Sequence, residues 1–164
     1  MHIEPIKLLK GSHADTGKTG LGCFMNVIAY LNGEPQITDE SPCVCVTVRP
    51  LAVWLNDYMD DKERPQLLPF ITRAMGSATM DKDTLVRRAR LCADYAERRA
   101  ASAARAARAA WAASAESAAK FDYKVFRAEL IADTLKLLDE MLPPATELQE
   151  IHTQRVQKLI ELAE

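Results

Sequence analysis

The chain has 164 residues, a formal net charge of −2 and a mean hydropathy of −0.16, with 48% hydrophobic and 27% charged residues. Such a size and composition suit one ordinary soluble globular domain, with a core built from Leu, Ile, Val, Met and Ala because aromatics reach only 6%. No apolar run approaches the ~20 residues of a membrane span, and four cysteines are too few for a disulfide scaffold.

The opening MHIEPIKLLKGSH lacks the apolar stretch of a secretory signal, so a reducing, cytoplasmic setting is expected. Gly11, Gly17, Gly20 and Gly22 then bracket GSHADTGKTGLG, which reads as a loop. In CFMNVIAYLNG, Phe24, Val27, Ile28 and Leu31 recur at helical spacing, and Asn32-Gly33 supplies the stop. EPQITDESPCVCVTV is irregular, since Pro35 and Pro42 oppose a helix. The alternation across Cys43–Val48 suits a short strand, although no second strand offers itself for pairing. A helix is predicted from near Arg49, with Pro50 in its first turn, through LAVWLNDYM. KERPQLLPFITRAMG reads as a short helix punctuated by prolines and ending at Gly76.

The second half differs. From Met80 to about Lys120 there is neither Gly nor Pro, and Asp81 or Asp83 caps the start. Thirteen of residues 100–119 are alanine, the best helix former. One helix of ~35–40 residues, roughly 55–60 Å long, is predicted there. FDYKVFRAELIADTLKLLDEML forms a further amphipathic helix, halted at Pro143-Pro144, and Thr146 caps a last one over 145–164. The expected fold class is all-α. A compact N-terminal helical domain with irregular loops occupies 1–79, and the long Ala-rich helix with a C-terminal helical hairpin or bundle occupies 80–164.

Candidate chemistry is sparse. Gly11…Gly17-Lys18-Thr19 is one residue too long for a phosphate-binding loop, so it reads as an ordinary loop. Cys23 opens the first helix, Cys43-x-Cys45 lies in the loop after it, and His13 precedes Cys23 by ten residues. Three thiolates and an imidazole suit tetrahedral zinc, which makes His13, Cys23, Cys43 and Cys45 candidate ligands. The competing reading is buried apolar thiols, because C-x-C is less usual than C-x2-C at structural zinc. Cys92 reads as a packing residue. A Cys23/His13 nucleophile pair has no supporting signature around it, so enzyme activity is not expected.

The stretch GSH…GCFMNVIAYLNGEPQITDESPCVCV…RPLAVWLND resembles a group of small uncharacterised proteins of actinobacteria and their phages. Their pattern runs approximately G-[SA]-H, a gap, then C-[LF]-M-x-x-x-A-[YW]-x-x-G-E-P-x-[ST]-D-x-P-x-C-x-C-P-V-I. Here it is met by His13, Cys23, Met25, Ala29, Tyr30, Gly33, Glu34, Pro35, Asp39, Pro42, Cys43 and Cys45. The chain departs in an extra residue between Pro35 and Asp39, in Glu40-Ser41 replacing one residue, and in Val46 where proline would stand. The likeness covers residues 11–76 and leaves the Ala-rich half outside. It implies a bacterial or phage context and no particular activity, and it selects the same His and Cys positions as the metal reading.

Charge is uneven along the chain. Residues 84–112 hold seven arginines against Asp94 and Glu97, which calls for an acidic partner within the fold or outside it. Arg98, Arg105 and Arg108 cluster on one helical face, with Arg87 and Arg88 read as lying apart, and only Trp111 and Tyr95 are placed to stack. The expected function is non-enzymatic: a bacterial or phage protein binding a macromolecular protein partner through the long helix, with Arg98, Arg105, Arg108 and Trp111 as binding residues. Homodimerisation through the alanine surface belongs to the same reading. The alternative is a zinc-binding regulator or nucleic-acid binder using His13, Cys23, Cys43, Cys45 and the arginines.

Overall fold

A computed structural model describes residues 7–12, 21–79, 81–112 and 123–144. Two short strands come first, β1 (Lys7–Leu8) and β2 (Leu21–Gly22). Helices α1 (Phe24–Leu31) and α2 (Val48–Tyr58) follow, then a 3-10 turn (Arg64–Leu67) that leads into α3 (Leu68–Ala74). Two long helices, α4 (Lys82–Ala112) and α5 (Tyr123–Met141), complete the described chain. The architecture is all-α apart from β1 and β2, which pair in parallel, Lys7 opposite Leu21 and Leu8 opposite Gly22.

Helix α1 forms the centre. Cys23 stands extended at its N-terminus and its N–H donates to Asn26 Oδ1 at 3.2 Å, closing a reciprocal cap with the first turn. Gly33, at φ 67°, ends the helix in the left-handed region that favours glycine. Every residue from Phe24 to Ala29 is buried, so α1 is enclosed on all sides rather than along one stripe, with Asn26 as its one buried polar side chain.

Residues 43–48 do not form the strand that their alternation suggested. Val44 N–H donates to the Ser41 carbonyl, and the N–H groups of Val48 and Arg49 both donate to the Cys45 carbonyl, so the segment turns directly into α2. Val44, Cys45 and Val48 are buried while Val46 is exposed, which is the burial of a helical entry. Without a neighbouring strand, extended backbone there would leave its polar groups unpaired. The pairing that does occur joins segments that carry no strand pattern.

The core is shared across the boundary expected at residue 79. Ile131, Leu137, Leu138 and Met141 of α5, with Leu142, join Phe24, Met25 and Ile28 of α1 and Leu55 of α2 in one buried cluster. Helix α4 rests on this cluster through the half-buried Leu85, Leu91, Cys92 and Tyr95. Arginines close two helix ends. Arg64 Nε and NH2 donate to the carbonyls of Asn56 and Met59, and Arg127 NH2 donates to that of Tyr58, all in the last turn of α2. Arg73, Arg87 and Arg88 do the same for α5 through the carbonyls of Asp139, Glu140 and Met141. Guanidinium charge at a helix C-terminus also opposes the negative end of the dipole.

Thirty-one residues make α4 about 46 Å long. From Ala100 to Arg108 every residue is exposed, on all sides of the helix. The expected continuation of α4 over 113–120 and the last expected helix, over 145–164, lie outside the described residues.

Candidate functional site

The four cysteines are free thiols. Cys23 Sγ donates to Asp39 Oδ1 at 3.0 Å, and Asn26 Nδ2 donates to the same oxygen at 3.1 Å. Burial, then the hydrogen bond to Asp39, pushes the Cys23 thiol up to about 12, so it stays protonated at neutral pH. Cys43 Sγ lies 3.1 Å from Ser41 Oγ, whose hydroxyl also donates to Glu34. Cys45 Sγ lies 3.1 Å from Thr47 Oγ1; burial pushes this thiol up, but hydrogen bonds from Thr47 and Arg88 outweigh it and the net shift is downward. Cys92 Sγ donates to Met141 Sδ at 3.7 Å, and burial followed by the neighbouring Cys45 raises its thiol.

Of the four expected zinc ligands, His13 lies outside the described residues. Cys23, Cys43 and Cys45 face different partners, and among the described residues no three His, Cys, Asp or Glu side chains gather into a group that could hold a metal. Lys18 and Thr19 of the glycine-rich loop are outside the described residues as well.

The arginines separate into two sets. Arg88 is buried, its Nε donating to the Met141 carbonyl at 2.9 Å and its NH1 to the Ser77 carbonyl at 2.7 Å. Arg99 pairs with Asp133 at 3.2 Å and lies over the Phe126 ring. Arg98, Arg105 and Arg108 are exposed. Because α4 is unbroken, residues eighteen apart return to the same face after five turns, which aligns Arg87 with Arg105 and Arg90 with Arg108. Arg87 therefore belongs to the arginine stripe and does not sit apart as expected. Arg88 and Arg99, eleven residues apart, face α5 instead.

A groove of about 620 Å³ runs between α4 and α5. Tyr95, Arg98, Arg99, Ser102 and Arg105 line one wall, and Glu129, Asp133, Lys136 and Glu140 line the other. Tyr95 Oη, 2.7 Å from Thr134 Oγ1, ties the two helices together beside it. Two of the expected partner-binding residues, Arg98 and Arg105, thus share one site. Trp111 lies in the last described turn of α4. The acids of the α5 wall were missed in the sequence, although Glu129, Asp133 and Glu140, spaced 4 and 7 residues apart, form a helical stripe. Also missed was a stack on α2, in which the Trp54 and Tyr58 rings sit 4.8 Å apart, with the Arg127 guanidinium 5.2 Å from Tyr58 and paired to Glu63.

No protein family, curated protein or solved structure matches the chain.

Proposed function

We propose that this chain is a non-enzymatic interaction protein of a bacterium or phage, and that its α4–α5 hairpin docks a protein partner. The observation that carries the reading is the nine-residue stretch of α4, Ala100–Arg108, exposed on every side. A helix with no buried face gains nothing from tertiary packing, and alanine propensity alone sustains it. A stiff arm of this kind is useful as a surface for something else.

The chemistry beside the arm favours protein over nucleic acid. Glu129, Asp133 and Glu140 stand across the groove from Arg98 and Arg105, where they would repel a polyanion but suit a surface bearing both signs. The protonated Cys23 supports a reading without a thiol nucleophile. Among the described residues no helix is long and apolar enough to cross a membrane. The test is affinity capture from a bacterial lysate with the wild-type chain and with Arg98→Glu/Arg105→Glu. Proteins retained by the first and lost from the second support the proposal. Identical captures, or turnover of a small molecule by the purified chain, overturn it.

A further inference from the structure

Resting on the hairpin as the docking element, we infer that the α4–α5 groove is self-complementary and that its occupant is the same groove of a second copy. The α4 wall carries Arg98, Arg99 and Arg105, and the α5 wall carries Glu129, Asp133 and Glu140 with Lys136 among them, so the two walls have opposite net charge. Arg98 and Arg105 on α4, and Glu129 and Glu140 on α5, make no side-chain hydrogen bond or ion pair among the described residues, whereas Arg99 and Asp133 already hold each other. With Lys136, five charged groups in one groove are thereby left for an external partner.

Symmetry then decides which walls meet. If two hairpins face each other across a two-fold axis perpendicular to the helices, α4 lies on α4 and arginine faces arginine. If the axis runs along the hairpin, α4 of each copy lies on α5 of the other, antiparallel, and the basic wall faces the acidic one. That axis also preserves height along the hairpin. Within the chain Arg88 is level with Met141 and Tyr95 with Thr134. Equal rise along both helices puts Arg98 within about one turn of Glu129 in the second copy, and Arg105 about 7.5 Å along the axis from the same glutamate. One arginine–glutamate pair on each side of the axis, Arg98 with Glu129, is therefore in register without sliding.

Size sets the strength. The nineteen residues of α5 give a face ~28 Å long and, for two adjacent helices, ~20 Å wide. That is about 600 Å² per copy, at the lower edge of specific interfaces. Ala132 and Ser102 within the groove are small enough to admit close approach. The result is a small, salt-sensitive four-helix dimer.

Light scattering on the full chain at ~100 µM and low salt should approach twice 18.2 kDa and fall toward 18.2 kDa at ~1 M salt. Arg98→Glu/Arg105→Glu and Glu129→Lys/Glu140→Lys should each raise the dimer dissociation constant at least ~10-fold, because each variant sets like charges against each other. Mixed in equal amounts, the two variants should restore a mass near twice the monomer as a heterodimer. Circular dichroism on each confirms that the fold persists. A monomeric wild type at low salt overturns the inference, as does a folded variant that still self-associates or a mixture of folded variants that stays monomeric. Capture of a protein partner by a monomeric chain would leave the docking function standing and remove only the second copy.

Discussion

Arg88 of α4 donates from Nε to the carbonyl of Met141 at 2.9 Å, closing the last turn of α5 from inside the core. Its NH1 reaches the Ser77 carbonyl at 2.7 Å, so one guanidinium joins α4, α5 and the segment after α3. Arg87 adds a bond to the Glu140 carbonyl, and Arg73 approaches from α3 to the carbonyls of Asp139 and Pro143. Part of the basic excess in this chain is therefore answered by backbone carbonyls rather than by acidic side chains.

Arg88→Met keeps much of the aliphatic volume but leaves two buried carbonyls without donors. With each charge-assisted bond worth ~1.5–3 kcal/mol, the variant should lose about 3–6 kcal/mol of unfolding free energy. Arg105→Met, on the exposed arm, should change it by less than ~0.5 kcal/mol. Urea titrations followed by circular dichroism measure both, and equal effects would count against the capping role.

A fragment of residues 1–79 lacks Ile131, Leu138 and Met141, which complete the core around α1. It should show no cooperative unfolding transition. Within the full chain Leu138→Ala, at a site with no solvent exposure, should cost ~2–5 kcal/mol in a thermal or urea melt.

Cys23 gives stability a pH dependence. Its thiol rises from an ordinary value of 9.0 to about 12 on folding, so the folded state holds the proton more tightly than the unfolded state. Its contribution is complete below pH 9 and drains away as pH rises from 9 toward 12. By pH ~10.5 the loss should reach about 2 kcal/mol relative to pH 8. Unfolding free energies of wild type and Cys23→Ala across that range should converge as pH rises, and a constant difference would contradict the buried, protonated thiol.

Gly22→Ala tests the junction of β2 with α1. A Cβ at Gly22 would lie 2.7 Å from Asn26 Cβ. Asn26 cannot easily move, since it is fully buried and bonded to both Asp39 and the Cys23 N–H. Overpacking of this kind costs ~1–3 kcal/mol, read as a lowered midpoint in a thermal melt.

The helices of this protein were legible because their determinants are local. Asn32-Gly33 ends α1, Pro50 sits in the first turn of α2, an uninterrupted run of Ala, Arg, Glu and Leu carries α4, and Pro143 follows the end of α5. Each of these signals acts within a few residues of itself. The sequence also marked Arg98 and Arg105 as surface residues of one helix face. What it could not assign was every pairing set by packing at long range. Arg73 bonds seventy residues ahead to Pro143, Arg88 turns inward while Arg87 stays on the stripe, and Cys23 meets Asp39 rather than Cys43 or Cys45. The two-residue strands are too short to leave a periodic pattern, and Cys43–Val48 alternates without a strand to receive it. The acidic wall of the groove exists only once α5 lies antiparallel on α4, an arrangement chosen by the burial of Leu138 and Met141 and not by any property of the charged residues themselves.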